Sequence, residues 1–222
     1  MLVQLCKKVA QIELVVGVVG GQAKVGLAKE MGCDYVICRK DKSGGNVDIW
    51  EEMKKQIPKL NGFDIVFDAN GISTLKNSFK HLKPTGMQLI IYVRWFFLFE
   101  GKLIVYGLHS ILPHTGSISI TNWISLGFDV LRTPSFNAMT LLERNCGVLG
   151  FNLSFLFSRM DRLEEAMANL LTWISQKKIT VSKVTTYKFE EVWKAHRDLQ
   201  SGETTGKLVL QTVHNSNRCS KD

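Results

Sequence analysis

Three short apolar runs end in glycine: IELVVGVVGG (12–21), GFDIVFDANG (62–71) and GKLIVYG (101–107). They are nearly continuous in apolar residues rather than alternating, as expected of strands buried on both faces, which occur in parallel sheets covered by helices. Helical patterns fall between them. Residues 24–31 predict a short helix closed by Gly32, in the position after a helix that favours positive φ. Tyr35 to Cys38 predicts a strand, and Val47 to Gln56 a helix with Val47, Trp50 and Met53 at three-residue spacing. Ser73 to Leu82 predicts a helix that stops before Pro84. Strands alternating with helices imply βαβ units and an α/β, doubly wound, Rossmann-like parallel sheet. Ligands of such sheets bind at the carboxyl ends of the strands.

The second half is less regular. Residues 121–142 are weakly patterned, with some helix expected. Asp161 to Gln176 predicts an amphipathic helix, with Leu163, Met167, Leu170, Leu171 and Ile174 at 3–4 spacing. A strand is expected near Ile179 to Thr185, then a helix, a glycine turn and a last strand through KFEEVWKAHRDLQSGETTGKLVLQT. The polar stretch 213–222 reads as a disordered tail.

One segment breaks the pattern. GMQLIIY (86–92) and GKLIVYG (101–107) are near copies separated by VRWFFLFE. Without residues 87–101 the text reads LKPTG-KLIVYG, a helix end, a turn and one strand. An insertion, such as translated intron, is the reading that restores local consistency. An extra strand forming a hairpin, a membrane segment and an exposed apolar patch that binds a partner are the alternatives. Leu89 to Phe99 is too short to span a bilayer and carries Arg94.

Charge is suggestive but diffuse. The 222 residues carry a formal net charge of +8. The cations are scattered as pairs such as Lys7–Lys8 and Lys54–Lys55, with no long like-charge block. Nucleic-acid binding is therefore not expected. Five cysteines, without C-x-x-C or His partners at metal spacing, read as reduced thiols of a cytosolic protein. No metal site is expected.

The turn after the first apolar run bears on chemistry. In a nicotinamide-binding sheet, an acidic residue ending the second strand holds the ribose 2′-hydroxyl of NAD. Gly17, Val18, Val19, Gly20 and Gly21 fill that place, with no Asp or Glu. Lys24 opens the next helix and Arg39 closes the next strand. Two cations beside a small-residue turn suit a 2′-phosphate, so the pattern argues for NADP(H). On spacing alone the same two residues also read as solvated surface charges.

VQLCKK, AKEMGCDYVI, FDIVFDANG, LKPTG, KLIVYG, GFNLSFL and FEEVWKAHRDLQSGETTGKLVL follow one another in order. Together they resemble the zinc-independent, quinone oxidoreductase-like branch of the medium-chain dehydrogenase/reductases, most closely its synaptic vesicle amine-transport group. The resemblance runs from Val3 to Leu210 apart from the inserted segment, and the stretch AHRDLQSGETTGKLVL is its most specific part.

The resemblance implies that family members carry, before the VQL helix, a GroES-like catalytic domain, a first strand and a glycine-rich phosphate loop. By that comparison residues 1–178 are a partial nucleotide-binding domain lacking its first strand, and 179–212 a return segment that completes the catalytic domain. The implied cofactor is NADPH and the implied substrate a small quinone or enone. The implied cofactor contacts are Lys24 and Arg39 at the 2′-phosphate, and Asn70 and Gly71 near the nicotinamide ribose. Tyr106 and Gly107 lie beside the pyrophosphate and nicotinamide, Phe151, Asn152 and Leu153 hold the carboxamide, and Thr205 and Lys207 sit in the terminal motif. Arg39 stands where the family often has tyrosine, and Gly20 and Gly21 where it often has serines. For Phe151, Leu153 and Tyr106, core packing is the other reading. No catalytic residue is singled out, and no zinc is required.

The resulting expectation is an NADPH-dependent oxidoreductase fragment with weak or no activity by itself, because the phosphate loop is missing. The alternative is a non-catalytic module, on a degenerate dehydrogenase fold, that docks on a vesicle membrane or a protein. The resemblance also allows a homodimer paired edge to edge through the last nucleotide-domain strand. The expected location is cytoplasmic, with peripheral association with vesicle membranes as the extension.

Overall fold

The computed structural model describes residues 1–41, 43–84, 101–107, 131–181, 183–202 and 204–212. The expected insertion, its near-copy run 86–92 and the expected tail 213–222 lie outside them, apart from Gly101. Most of the weakly patterned stretch 121–142 also lies outside. The chain divides into two compact units, one made of Met1–Pro58 with Asp161–Asp222 and the other of Lys59–Met160.

The first unit opens with α1 (Leu2–Gln4), which continues as a π-helical turn over Leu5–Val9. Then come β1 (Val16–Val19), a 3-10 turn over Gln22–Lys24, α2 (Val25–Glu30), β2 (Tyr35–Cys38) and α3 (Ile49–Gln56). Parallel pairing of β1 and β2 runs from Val16 opposite Tyr35 to Val19 opposite Cys38. Gly32 has φ 108°, so it reverses the chain between α2 and β2 in a backbone state that L side chains rarely adopt. Asp48 caps α3, its carboxylate accepting from the N–H groups of Trp50 (2.9 Å) and Glu51 (3.2 Å). Glu51 and Glu52 in the first turn and Lys54 and Lys55 in the last complement the helix dipole.

After the second unit the chain returns as α6 (Met160–Ser175), β6 (Val184–Lys188), α7 (Val192–Ser201) and β7 (Lys207–Gln211). Strands β6 and β7 pair in parallel with α7 as their crossover. Gly202, at φ 68°, ends α7. Gln4 joins the start of the chain to this return. It is only 1% exposed. Its amide accepts from the Thr180 N–H (2.8 Å) and donates to the Thr180 carbonyl and hydroxyl, both at 3.2 Å. The buried side chain thus closes both main-chain groups of a residue 176 positions away.

The second unit holds β3 (Ile65–Asp68), α4 (Ile72–Lys80), β4 (Lys102–Val105), α5 (Ala138–Arg144) and β5 (Gly147–Gly150). The order is β3-β4-β5, parallel throughout, with Asp68 opposite Val105 and Val105 opposite Gly150. Leu75, Leu82, Leu103 and Cys146 form its buried cluster, with Val66, Phe79, Phe136 and Leu141 packed around them. The Arg144 guanidinium closes the end of α4, donating to the carbonyls of Phe79 (3.1 Å), Lys80 (3.1 Å) and Leu82 (2.9 Å). It also lies 4.8 Å from the centre of the Phe79 ring.

The α/β class and the parallel pairing agree with the sequence. Several boundaries do not. The expected strand from Ile12 to Val18 narrows to Val16–Val19, because β2 offers only four residues to pair with. Gly17 and Val18 therefore belong to the strand, and only Gly20 and Gly21 turn. A Cβ on Gly17 would lie 2.7 Å from Cys33 Sγ, so the missing side chain makes room for that buried thiol. The strand expected at 179–185 lies instead at Val184–Lys188. Ile179 and Thr180 are taken up by burial and by the Gln4 pairing. Strand β5 was not anticipated: GVLG is short and flanked by glycines.

Candidate functional site

The three strands of the second unit end side by side, and their carboxyl ends carry seven of the expected contact residues. Asn70 and Gly71 form the turn after β3, with Gly71 at φ 83° before α4. Tyr106 and Gly107 leave β4, and the Tyr106 N–H donates to the Asp68 carbonyl at 3.1 Å. A Cβ on Gly107 would lie 2.7 Å from the Ala69 carbonyl oxygen, so glycine alone permits this approach of two main chains. Phe151, Asn152 and Leu153 leave β5, the Phe151 N–H donating to the Val105 carbonyl at 2.8 Å. The Asn152 side chain accepts from the Ser154 N–H (3.0 Å) and caps a 3-10 turn over Leu153–Ser158.

Exposure bears on the packing alternative for the large residues. Tyr106 is 45% exposed, Phe151 49% and Leu153 53%. None is a core residue; all three are available to a ligand at the sheet edge. Burial pushes the Tyr106 phenol up from its ordinary pKa, and the nearby Asp68 carboxylate adds to the rise. Tyr106 is therefore a neutral hydroxyl at neutral pH.

Asp68 is the residue that sequence reading passed over. It is 4% exposed and organises the whole β3 turn. Its Oδ1 accepts from the N–H groups of Asn70 (2.9 Å) and Gly71 (3.0 Å) and from the Thr74 hydroxyl (2.8 Å). Its Oδ2 accepts from the Ser78 hydroxyl at 2.8 Å. A signal existed: Thr74 and Ser78 stand four apart on the face of α4 that turns toward this strand end, beside apolar Leu75 and Phe79.

In the first unit, Gly20 and Arg39 come together at the carboxyl ends of β1 and β2. A Cβ on Gly20 would lie 3.7 Å from Arg39 Nη2, so the guanidinium rests beside the turn. Lys24 Nζ donates to the Gly202 carbonyl at 2.5 Å. That bond brings Lys24 to the segment carrying Thr205 and Lys207. Lys207 in turn donates its N–H to the Lys183 carbonyl at 2.8 Å. Of the expected 2′-phosphate pair, Arg39 lies at the turn, while Lys24 is occupied by the end of α7.

Among the described residues, no group of three or more His, Cys, Asp or Glu side chains comes together to hold a metal ion. Nor is any helix among them long and apolar enough to cross a membrane.

Comparisons with known proteins agree with this architecture. The sequence profile described as zinc-binding dehydrogenase matches residues 31–210. The human synaptic vesicle membrane protein VAT-1 homolog is 29% identical over 208 residues, which is 94% of this chain and 46% of that protein. The zebrafish (Danio rerio) homolog is 29% identical over 165 residues, 74% of this chain and 30% of that protein. CurA from Vibrio vulnificus, solved in complex with NADPH, superposes with a TM-score of 0.60 at 22% identity, over 94% of this chain and 53% of that one. The chain thus spans less than half the length of these two curated relatives. At 22% identity the solved structure speaks for the fold alone. With the profile matched across most of its length, the chain belongs to the zinc-binding dehydrogenase family.

Proposed function

We propose that this chain forms the cofactor-holding part of an NADPH-dependent oxidoreductase acting on a quinone or enone. Residues 1–178 would bind the nucleotide, and 179–212 would return toward the catalytic domain. The observation that carries the reading is the carboxyl edge of β3-β4-β5, where the Asn70–Gly71 turn, Gly107 and the Phe151–Leu153 segment end together. There the Gly107 main chain runs against Ala69 with no room for a side chain. Ligands of parallel sheets bind at such edges. The Arg39 guanidinium beside the Gly20 turn, with no carboxylate in that turn, supports a 2′-phosphate over a bare ribose.

Bound NADPH would supply the hydride; the protein would bind, orient and shield it. Arg39 would pair with the 2′-phosphate, and Lys24 would exchange the Gly202 carbonyl for the same group. The small turn residues Asn70, Gly71 and Gly107 would leave space for the cofactor's ribose and nicotinamide. The zinc of the family's name finds no donor set among the described residues, so no step is assigned to it.

Titration with NADPH, following cofactor fluorescence, tests the reading, with NADH as control. Saturable binding that favours NADPH is expected, with little quinone turnover by these residues alone. Arg39→Gln should weaken NADPH about tenfold, the equivalent of about 1.4 kcal/mol, and leave NADH unchanged. Equal affinity for both cofactors would overturn the assignment. A second reading, a non-catalytic interaction module, is favoured by the exposed Phe155 (81%) and Phe157 (64%) beside the site. A folded chain that binds neither cofactor would select it.

A further inference from the structure

A second cleft lies in the Lys59–Met160 unit, away from the strand ends. It is formed by Lys76 and Phe79 of α4, the start of α5 and the segment that leads into α5. Its volume is about 410 Å³, within the range of small-molecule sites. Phe79 and Phe136 line it, their ring centres 4.9 Å apart and their planes tilted by 52°. Such a pair gives the cleft an aromatic wall against which a flat guest can pack. Lys76 and Arg132 stand at the same cleft, and Ser135 and Thr140 add hydroxyls.

The charges identify the guest. Among the described residues neither Lys76 nor Arg132 has a carboxylate partner. The cation that is satisfied nearby is Arg144, which is spent on the carbonyls that end α4. Lys76 and Phe79 are three apart on α4, so ammonium and ring share one face. Two cations without a carboxylate partner among the described residues, in one cleft with an aromatic pair, complement a ligand with an anionic head and a flat apolar body. A purely apolar guest would leave both cations unused, and a bare inorganic anion would leave the aromatic pair unused.

We propose that this cleft is a binding site for a small aromatic carboxylate, separate from the cofactor edge. The carboxylate pairs with Lys76 and Arg132, and the ring packs against Phe79 and Phe136. The site depends on neither the cofactor nor the reaction proposed above.

The test titrates the full chain with 2-naphthoate, read by probe fluorescence, with 2-naphthalenemethanol as the neutral counterpart. Saturable one-to-one binding of naphthoate is expected, at least about tenfold tighter than the alcohol. Lys76→Gln with Arg132→Gln should remove that preference and leave alcohol binding unchanged. Both positions are exposed, so the far-UV circular dichroism should not change. NADPH should not displace the probe. Equal affinity for acid and alcohol, no effect of the double variant, or displacement by NADPH would each overturn the proposal.

Discussion

Asp68 is predicted to hold the β3 turn through desolvated hydrogen bonds, and removing its carboxylate should be among the more damaging single changes in its unit. Four donors converge on it, from Asn70, Gly71, Thr74 and Ser78. In Asp68→Ala, the Asn70 N–H and the Thr74 hydroxyl are only partly buried and can turn to water, and Thr74 keeps its bond to the Gly71 carbonyl at 3.2 Å. The Gly71 N–H and the Ser78 hydroxyl are buried, Ser78 being 5% exposed. Each orphaned donor costs about 1–3 kcal/mol, which gives about 4 kcal/mol for the pair. With a urea slope of about 2 kcal/mol/M, the midpoint for this unit should fall by about 2 M.

Asp68→Asn should be far milder, about 1 kcal/mol. Its carbonyl can still serve Asn70, Gly71 and Thr74, and its amide can donate to the Ser78 oxygen. A third variant separates orphaned donors from lost shape. Adding Ser78→Ala to Asp68→Ala removes one stranded hydroxyl and should recover about 1 kcal/mol or more, a non-additive result. Urea unfolding followed by circular dichroism reads all three. An Asn variant as damaged as the Ala variant, or a double variant no better than Asp68→Ala, would refute the reasoning.

The other predictions concern the first unit. Gln4→Ala removes the partner of the part-buried Thr180 N–H and carbonyl, which can turn to water, and should destabilise the unit by about 1 kcal/mol, while Gln4→Glu sets a buried carboxylate against the Thr180 carbonyl and should cost more; urea unfolding of the two variants reads the difference. Asp34 is pushed up by partial burial, but the Val15 N–H and the Lys7 ammonium outweigh this and leave its carboxyl lowered. A lowered folded pKa means stability present above the unfolded value of about 3.9 and lost as pH falls through the folded one. Asp34→Asn should therefore flatten the acid limb of the stability profile below about pH 4 and leave its shape at pH 7 and above unchanged, as pH-dependent urea unfolding would measure.

Much of this fold was legible where local chemistry and tertiary demand coincide. Strand β2 was anticipated residue for residue, because Gly32 sets its start and a charged run follows its end. Helix α3 carries its own cap at Asp48 and graded charges at both ends. The turn at Asn70–Gly71 was legible because asparagine and glycine end an apolar run, whereas the other sheet-edge residues were named only through the family resemblance. What escaped reading depends on distant partners. The length of β1 is set by β2, and the place of β6 by a glutamine near the other end of the chain. Gln4, Arg144 and Asp68 look ordinary in sequence. Their roles come from what they reach: Thr180, the end of α4 and the hydroxyls of Thr74 and Ser78.

The split of the first unit has a bearing on how the chain is made. Met1–Pro58 can complete its unit only with Asp161–Asp222, whereas Lys59–Met160 is continuous. At about 5–20 residues per second of synthesis, β1, β2 and Gln4 wait roughly 7–35 seconds before Thr180 leaves the ribosome. The middle unit has its last residue, Met160, shortly before then. The chain should therefore mature from its centre outward, and during that wait its first residues are the ones most dependent on a chaperone.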